Sequence, residues 1–418
     1  LSSSLLPRDL PSDLIENIDM REWILPEYIE DILPAEALHI EHMRRRVLDC
    51  LLVHGYELVG PPLLEFVESL LTGSGGDTDL RMFKVVDQLS GRMMGLRADM
   101  TPQAARIDAH LLNRKGVTRL CYAGSVLHSM PSGLTRTREP LQIGAELYGH
   151  SGLESDMEIQ QLMLKSLAIA GVGKIHLDLG HVAVFRGLIK GAGIPAELEA
   201  ELFQALQAKD YHTVRNLCAR LDNIDMQVRQ GLLLLPDLYG DERILALARK
   251  TLPHYPGILR ALDELELVGS QLKATVDTLA FDLSDLRGYH YHSGLLFAAY
   301  TCGCPNAIAL GGRYDEVGRA FGRARPATGF SMDLRELSGL APRDFYPKGI
   351  LAPYSAGDNK LERKIEQLRN EGGVVIIELP GHEQTQETFN CDRRLVLRDG
   401  EWVTTDVMSG GNHIKDTP

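Results

Sequence analysis

The chain has 418 residues, 44% hydrophobic and 24% charged, the make-up of a globular protein with room for two or three domains. It holds no apolar run near the roughly 20 residues that span a bilayer and no basic-then-apolar secretory leader. The cytoplasm is therefore the expected compartment and no membrane partner is expected, while a net charge of −13 lowers the expectation of a nucleic-acid surface.

Taken in order, residues 1–19 show no periodicity, and with Met20 as the native start they read as a leader outside the fold. Trp23 to Pro26 and Asp31 to Pro34 approach a helix over 35–54, with Ile40, Met43, Val47, Leu51 and Leu52 at helical spacing. Gly55 closes it as a left-handed cap. Residues 55–65 read as turn, strand and proline, and 82–91 as a β-hairpin with Gly91 near its turn. Asp99 and Thr101 then stand two apart before Pro102. Either serves as the N-cap of a helix over 102–112, and an acid beside a hydroxyl also suits an ammonium group.

The densest stretch is 119–150. Residues 120–127 read as a buried strand, 129–139 as a polar loop with Pro131 and Gly133, and 141–148 as a second strand. Side chains two apart share a strand face, so Gln142, Gly144 and Glu146 fall on one side, opposite Leu141, Ile143, Ala145 and Leu147. An amide and a carboxylate flanking a glycine fit a roof over a small polar ligand; an ordinary half-exposed strand fits the same pattern.

A helix over 153–170 and a strand over 175–179 follow. Helical blocks at 195–209, 212–221, 225–235, 242–252 and 258–268, parted by Gly, Pro and Asp, read as a helical insertion over 185–275. Strand returns over 277–300, where Arg287, Tyr291 and the pair His290 and His292 stand together. The two histidines suit ligand contact, packing or metal, with no third metal ligand in view. The six cysteines are too sparse for a disulfide framework. Cys302-x-Cys304 lacks a second pair at zinc spacing, so no metal or other cofactor is expected. Arg313, Arg319, Arg323 and Arg325 make a basic run, either an anion or partner site or a solvated loop. After Pro342, strand at 349–353, helix at 359–371 and strands at 374–379 and 393–397 make a short α/β tail.

These motifs resemble class II aminoacyl-tRNA synthetases, histidyl-tRNA synthetase above all. Arg136-Thr137-Arg138-Glu139 with Gln142 and Glu146 matches motif 2, and 55–65 resembles motif 1, which builds the dimer interface in that family. Asp99 and Thr101 stand where the family holds the amino group of the amino acid. Arg287 to His292 resembles the histidine signature Arg-Gly-Leu-Asp-Tyr-Tyr, whose arginine serves the carboxylate and whose tyrosines pack against and bond the imidazole. Gly311-Gly312-Arg313-Tyr314-Asp315 matches the turn that follows, and 327–337 occupies motif 3. The resemblance implies an α+β fold: a class II synthetase-like antiparallel sheet flanked by helices over 20–184 and 276–340, the insertion over 185–275, and a small C-terminal α/β domain over 341–418.

The match fails on the nucleotide side. Where the family has Phe-Arg-x-Glu the chain has Leu127-His128-Ser129-Met130, and a mostly neutral imidazole cannot replace a guanidinium fork on a phosphate. Motif 3 reads Asp333-Leu334-Arg335-Glu336-Leu337, so Glu336 stands where an arginine meets the γ-phosphate, and Arg335 is turned about 100° away on the helix. The tail is also shorter than an anticodon-binding domain. With these departures the chain resembles the regulatory subunits of ATP phosphoribosyltransferase, a family built on the synthetase core. That resemblance implies no catalytic residues and no tRNA. It implies activation of a short-form catalytic subunit in the first step of histidine biosynthesis, with feedback by L-histidine. Histidine would bind among Asp99, Thr101, Gln142, Glu146, Arg287, Tyr291 and His292. The assembly implied is a homodimer through the motif 1 region within a hetero-octamer. The alternatives are a histidyl-tRNA synthetase or truncated histidine-adenylating enzyme, and a generic α+β ligand-binding protein.

Overall fold

The computed structural model describes residues 24–72, 81–131, 137–221, 224–289, 291–342, 347–381 and 390–406. The expected leader, Met20, Trp23, Arg136 and His290 lie outside the described residues. Helix α1 (Pro34–Val53) starts on a proline, whose missing N–H costs nothing in a first turn, and buries Ile40, Met43, Val47 and Leu51. Leu52, expected in the same stripe, is 44% exposed, because five residues from Val47 carries it about 140° round the helix. Gly55 follows at φ +83°.

Strands β1 (Glu57–Leu58) and β2 (Leu64–Phe66), helix α2 (Val67–Leu71) and the hairpin β3 (Phe83–Val86) and β4 (Met93–Leu96) come next. The expected hairpin is present with Gly91 at φ +70° near its turn, but its second strand lies beyond the expected 82–91, and β2, β4 and β3 form a small antiparallel sheet. Helix α3 (Thr101–Arg106) runs on as a π-helical turn over Ile107–Leu112, so the helix expected over 102–112 is present but changes pitch at Ile107. Strand β5 (Thr118–Ser125) lies two residues earlier than expected: Leu127 N–H donates to Arg97 O and leaves the ladder. Strand β6 (Leu141–Tyr148) has the expected bounds.

Helix α4 (Leu153–Ile169) and strand β7 (Ile175–His181) lead to the helices α5 (Val182–Ala192), α6 (Ala196–Gln207), α7 (Tyr211–Ala219) and α8 (Met226–Leu234). Asp210 and Asp225 cap α7 and α8 through the N–H groups of Thr213 and Gln227, which is why the helical blocks break at Asp. Strand β8 (Tyr239–Gly240), α9 (Arg243–Thr251) and α10 (Pro256–Leu272) complete the segment. The chain then returns through β9 (Thr278–Asp282), β10 (Leu295–Thr301), β11 (Ala309–Arg313), β12 (Ala327–Asp333) and α11 (Leu334–Leu340).

Among the described residues, nine strands form one sheet in the order β1-β5-β6-β12-β11-β10-β7-β9-β8, antiparallel from β5 to β7. Leu188, Leu202, Leu232 and Leu262 of the helical segment share one buried cluster with Ile143, Leu177 and Phe297 of the sheet. The chain divides after Pro342 into two compact units. The second holds β13 (Gly349–Ala352), α12 (Asn359–Asn370), β14 (Val375–Ile377), β15 (Cys391–Arg398) and β16 (Glu401–Asp406), with its own core around Ile350, Leu361, Ile365 and Leu395.

The basic run does not form one surface. Arg313 is buried and donates from Nε and Nη2 to Asp156 Oδ2 at 3.1 and 2.6 Å, while Arg325 is buried on Asp108 at 3.1 Å. Arg319 pairs with Glu316 and Arg323 with Asn113 at the surface. A buried carboxylate that loses its cation has no route to water. Arg313→Met should therefore cost about 3–5 kcal/mol, read as a lowered urea midpoint, whereas Arg319→Met at its exposed pair should leave the midpoint unchanged.

Candidate functional site

One face of the large sheet carries Tyr122 of β5, Gln142, Gly144 and Glu146 of β6, Gly329 and Ser331 of β12 and Gly312 of β11, as the strand register requires. The glycines clear space for particular side chains. A Cβ on Gly329 would sit 1.5 Å from Glu146 Oε2, one on Gly144 2.6 Å from the Tyr122 hydroxyl, and one on Gly312 2.8 Å from His292 Nδ1. The space over Gly144, expected to admit a ligand, is thus taken by Tyr122.

Glu146 is fully buried at the centre. Tyr122 OH donates to its Oε1 at 2.8 Å and Tyr314 OH to its Oε2. Thr101 Oγ1 lies 3.0 Å from the Tyr122 hydroxyl, which ties the start of α3 to the carboxyl. Burial pushes the Glu146 carboxyl up to about 8, against the pull of the tyrosine hydroxyls. Beside it, Asp99 Oδ1 accepts from Thr101 N at 3.1 Å and from Gln142 Nε2 at 2.8 Å, while Gln142 Oε1 accepts from Met100 N. The N-cap of α3 is Met100 rather than Asp99 or Thr101, and Asp99 reaches the N–H of Thr101 from within the site.

The loop after β9 supplies the other wall. The Tyr291 ring lies 5.0 Å from that of Tyr314 and 5.3 Å from His292, and its hydroxyl is out of solvent with no hydrogen-bond partner. A buried hydroxyl left unpaired costs free energy, so a group that bonds it is stabilised there. His292 Nδ1 lies 3.3 Å from Arg313 O, and burial holds its imidazole down to about 4, hence neutral near pH 7. Arg287 stands apart from this group. Its Nε and Nη2 donate to both oxygens of Asp285 and its Nη1 to Tyr300 OH at 2.9 Å. Tyr300 is four residues along β10 from Leu296, which ends the row through Glu146, Gly329 and Gly312. That places it roughly 13 Å along the sheet and three strands across.

Next to Gln142 an open cleft of about 270 Å³ is lined by Arg81, Asp99, His128, Gln142, Asp333 and Glu336, among others. His128 Nε2 lies 2.9 Å from Ala98 O. Arg335 leaves this cleft: its side chain is 8% exposed and donates to the carbonyls of Glu139 and Glu30 at 3.3 Å each. Arg81 is the one arginine or lysine in the cleft lining among the described residues, against Asp99, Asp333 and Glu336. No group of three or more His, Cys, Asp or Glu placed to hold a metal occurs among the described residues. Nor is any helix there long and apolar enough to cross a membrane.

Asp99, Thr101, Gln142, Glu146, Tyr291 and His292 thus come together, and Arg287 does not. Tyr122 and Tyr314, which grip Glu146, were not picked out from the sequence. The available signal was the alternation Leu120, Tyr122, Gly124 and the tyrosine of the Gly-Gly-Arg-Tyr-Asp turn.

The fold and this sheet face are those of a histidyl-tRNA synthetase-like class II protein. The Histidyl-tRNA synthetase family matches residues 28–337, and the family described as ATP phosphoribosyltransferase subunit HisZ C-terminal domain matches 347–405. A structure titled as an ATP phosphoribosyltransferase regulatory subunit/histidyl-tRNA synthetase from Bacillus halodurans superposes with a TM-score of 0.76 at 25% identity, over 88% of this chain and 95% of that one. Histidyl-tRNA synthetase from Nostoc sp. PCC 7120 shares the fold, with a TM-score of 0.71 at 18% identity over 92% and 97%. The ATP phosphoribosyltransferase regulatory subunit of Nitrosospira multiformis is 73% identical over 94% of this chain and 100% of its own length. That of Nitrosomonas europaea is 61% identical over 92% and 98%. The chain belongs to the family of ATP phosphoribosyltransferase regulatory subunits.

The raised Glu146 carboxyl has a consequence for stability. Its proton is held more tightly in the folded chain, at about 8, than at the ordinary 4.5, so the stability it contributes is complete below 4.5 and lost as pH rises through 8. Thermal melts should therefore show the wild-type chain losing stability relative to Glu146→Gln between about pH 5 and pH 8. Parallel profiles for the two proteins would contradict this.

Proposed function

We propose that the chain is a non-catalytic subunit that activates a short-form catalytic subunit of ATP phosphoribosyltransferase and conveys feedback by L-histidine to the first step of histidine biosynthesis. The observation that carries this reading is a contrast across one sheet face. Beside Glu146 sits the buried, unpaired hydroxyl of Tyr291, suited to a polar ring such as imidazole. Next to it lies a cleft where, among the described residues, three carboxylates face one arginine, unsuited to a triphosphate. In this reading Asp99, Thr101 and Gln142 take the ammonium group of histidine, and Glu146, Tyr291 and His292 surround its side chain. Arg287, held on Asp285 and Tyr300, lies outside this arrangement.

Feedback is then a coupling free energy, typically about 1–3 kcal/mol, and ligands of the catalytic subunit weaken histidine binding by the same factor. The exposed side chains of Val53, at the end of α1, and Leu58, in the edge strand β1, support a homodimer through this region within a hetero-octamer. The setting proposed is the cytoplasm, without tRNA. A second reading, histidine adenylation, is favoured by the match to the Histidyl-tRNA synthetase family over 28–337. Against it, each charged contact missing from a nucleotide costs about 1.5–3 kcal/mol, and both His128 and Glu336 stand where that family has arginine.

Calorimetry should show histidine binding and no ATP binding, and histidine-dependent exchange of pyrophosphate into ATP should be absent. Mixed with a short-form catalytic subunit, Glu146→Gln should keep basal activation and lose inhibition by histidine. Loss of activation and inhibition together would overturn the assignment of the site.

A further inference from the structure

Between β10 and β11 the chain turns through Cys302-Gly303-Cys304. Cys304 N–H donates to Thr301 O at 3.3 Å and Gly303 has φ +88°, a β-turn that wants glycine at its third position. Two residues reach at most roughly 7 Å when extended. The turn folds them closer, towards the Cα separation of about 4.4–6.8 Å that a disulfide takes.

The two thiols differ in their surroundings. Cys302 is exposed, whereas Cys304 is half-buried and its Sγ–H donates to Glu336 Oε1 at 3.3 Å. The remaining cysteines are placed for inertness. Cys50, Cys121 and Cys218 are buried, and burial raises all three thiols, Cys121 to about 12 and Cys218 to about 11. Burial also raises the half-buried Cys391. Since the thiolate is the attacking species, exchange chemistry concentrates on Cys302.

We propose that the Cys302-Gly303-Cys304 turn, with Glu336 beside it, is a dithiol–disulfide site that exchanges with low-molecular-weight disulfides of the glutathione type. The Cys302 thiolate attacks one sulfur of the small disulfide, forming a mixed disulfide and expelling one thiolate, which takes up the proton Cys302 released. Glu336 accepts the Cys304 proton, and the Cys304 sulfur attacks the Cys302 sulfur. The second small thiolate leaves and takes that proton. One S–S bond forms for the one broken; the turn gives up two electrons and two protons, and the small disulfide becomes two thiols.

Closure removes the thiol proton that Cys304 donates to Glu336. Glu336 lines both the cleft beside Gln142 and a second hollow of about 310 Å³ that includes Glu30 and Arg335, so oxidation alters the hydrogen bonding of a shared wall. The site lies apart from the Glu146 group, and its chemistry stands or falls without the proposed binding of histidine.

The test treats the full-length protein with oxidised glutathione near neutral pH, quenches by alkylation and weighs the peptide that spans 302–304. The wild-type peptide should lose two hydrogens and retain no glutathione, and dithiothreitol should restore it. Cys304→Ser should stop with one glutathione on Cys302. Cys302→Ser should react at least about tenfold more slowly. Glu336→Gln should leave the first attack unchanged and accumulate the mixed disulfide. A wild-type turn that keeps both thiols, one that stops at the Cys302 adduct, or a Cys302→Ser protein that reacts as fast as wild type would each overturn the proposal.

Discussion

A single carboxyl, Glu146, is held out of water by the hydroxyls of Tyr122 and Tyr314 above glycines in the neighbouring strands. An acid in that position is tolerable only while both oxygens are hydrogen-bonded. Both donors arrive by register: Tyr122 pairs with Gly144 across β5 and β6, and Tyr314 directly follows the β11 strand that pairs with β12. A slip of one residue anywhere in this part of the sheet would turn the tyrosines or the carboxyl to the opposite face. Gly329 could not accept even a methyl group without displacing Glu146. The four antiparallel strands, the start of α3 and the Tyr291 loop are thus adjusted to one buried group.

The same face differs along its length in the charge it presents. Around Glu146 the side chains are neutral or hydrogen-bonded, and the Tyr291 hydroxyl still lacks a partner. Roughly 13 Å along the strand, past Gln142, the charges among the described residues become those of Asp99, Asp333 and Glu336 against Arg81. Asp333 is occupied structurally: its Oδ1 accepts from Leu141 N and Arg335 N, joining β6 to the first turn of α11. One step further along that helix, Arg335 points at the carbonyls of Glu139 and Glu30 and supplies no charge to the cleft. A rotation of about 100° per residue is enough to move a cation from one side of a wall to the other.

Two buried ion pairs fasten the surroundings. Arg313 and Asp156 join the end of β11 to α4, and Arg325 and Asp108 join the approach to β12 to the π-helical turn after α3. Because their charges are desolvated, such pairs hold geometry more than they add stability. The loop bearing Tyr291 and His292 is attached differently, through Arg287 on Asp285 and Tyr300.

Much of the fold could be read from residue pattern. Strand β6 was found with its bounds because apolar and polar residues alternate along it, and the helical segment because Asp, Gly and Pro mark its breaks. Strand β16 was not, since its residues are mostly half-exposed and polar, nor was the two-residue strand β8, which exists only through its neighbour. Within the site, Asp99, Thr101, Gln142 and Glu146 stand out by spacing and Tyr291 and His292 by the resemblance to the synthetase motifs; these six assemble, while Arg287 stands off. Alternation along the chain is enough to tell which face of each strand is polar and which residue types populate it, because a period of two is a local property of the backbone. Which charge meets which is set by the folded arrangement alone. Asp156 and Arg313 lie 157 residues apart and Tyr314 and Glu146 168, and no local periodicity encodes a partner at such separations.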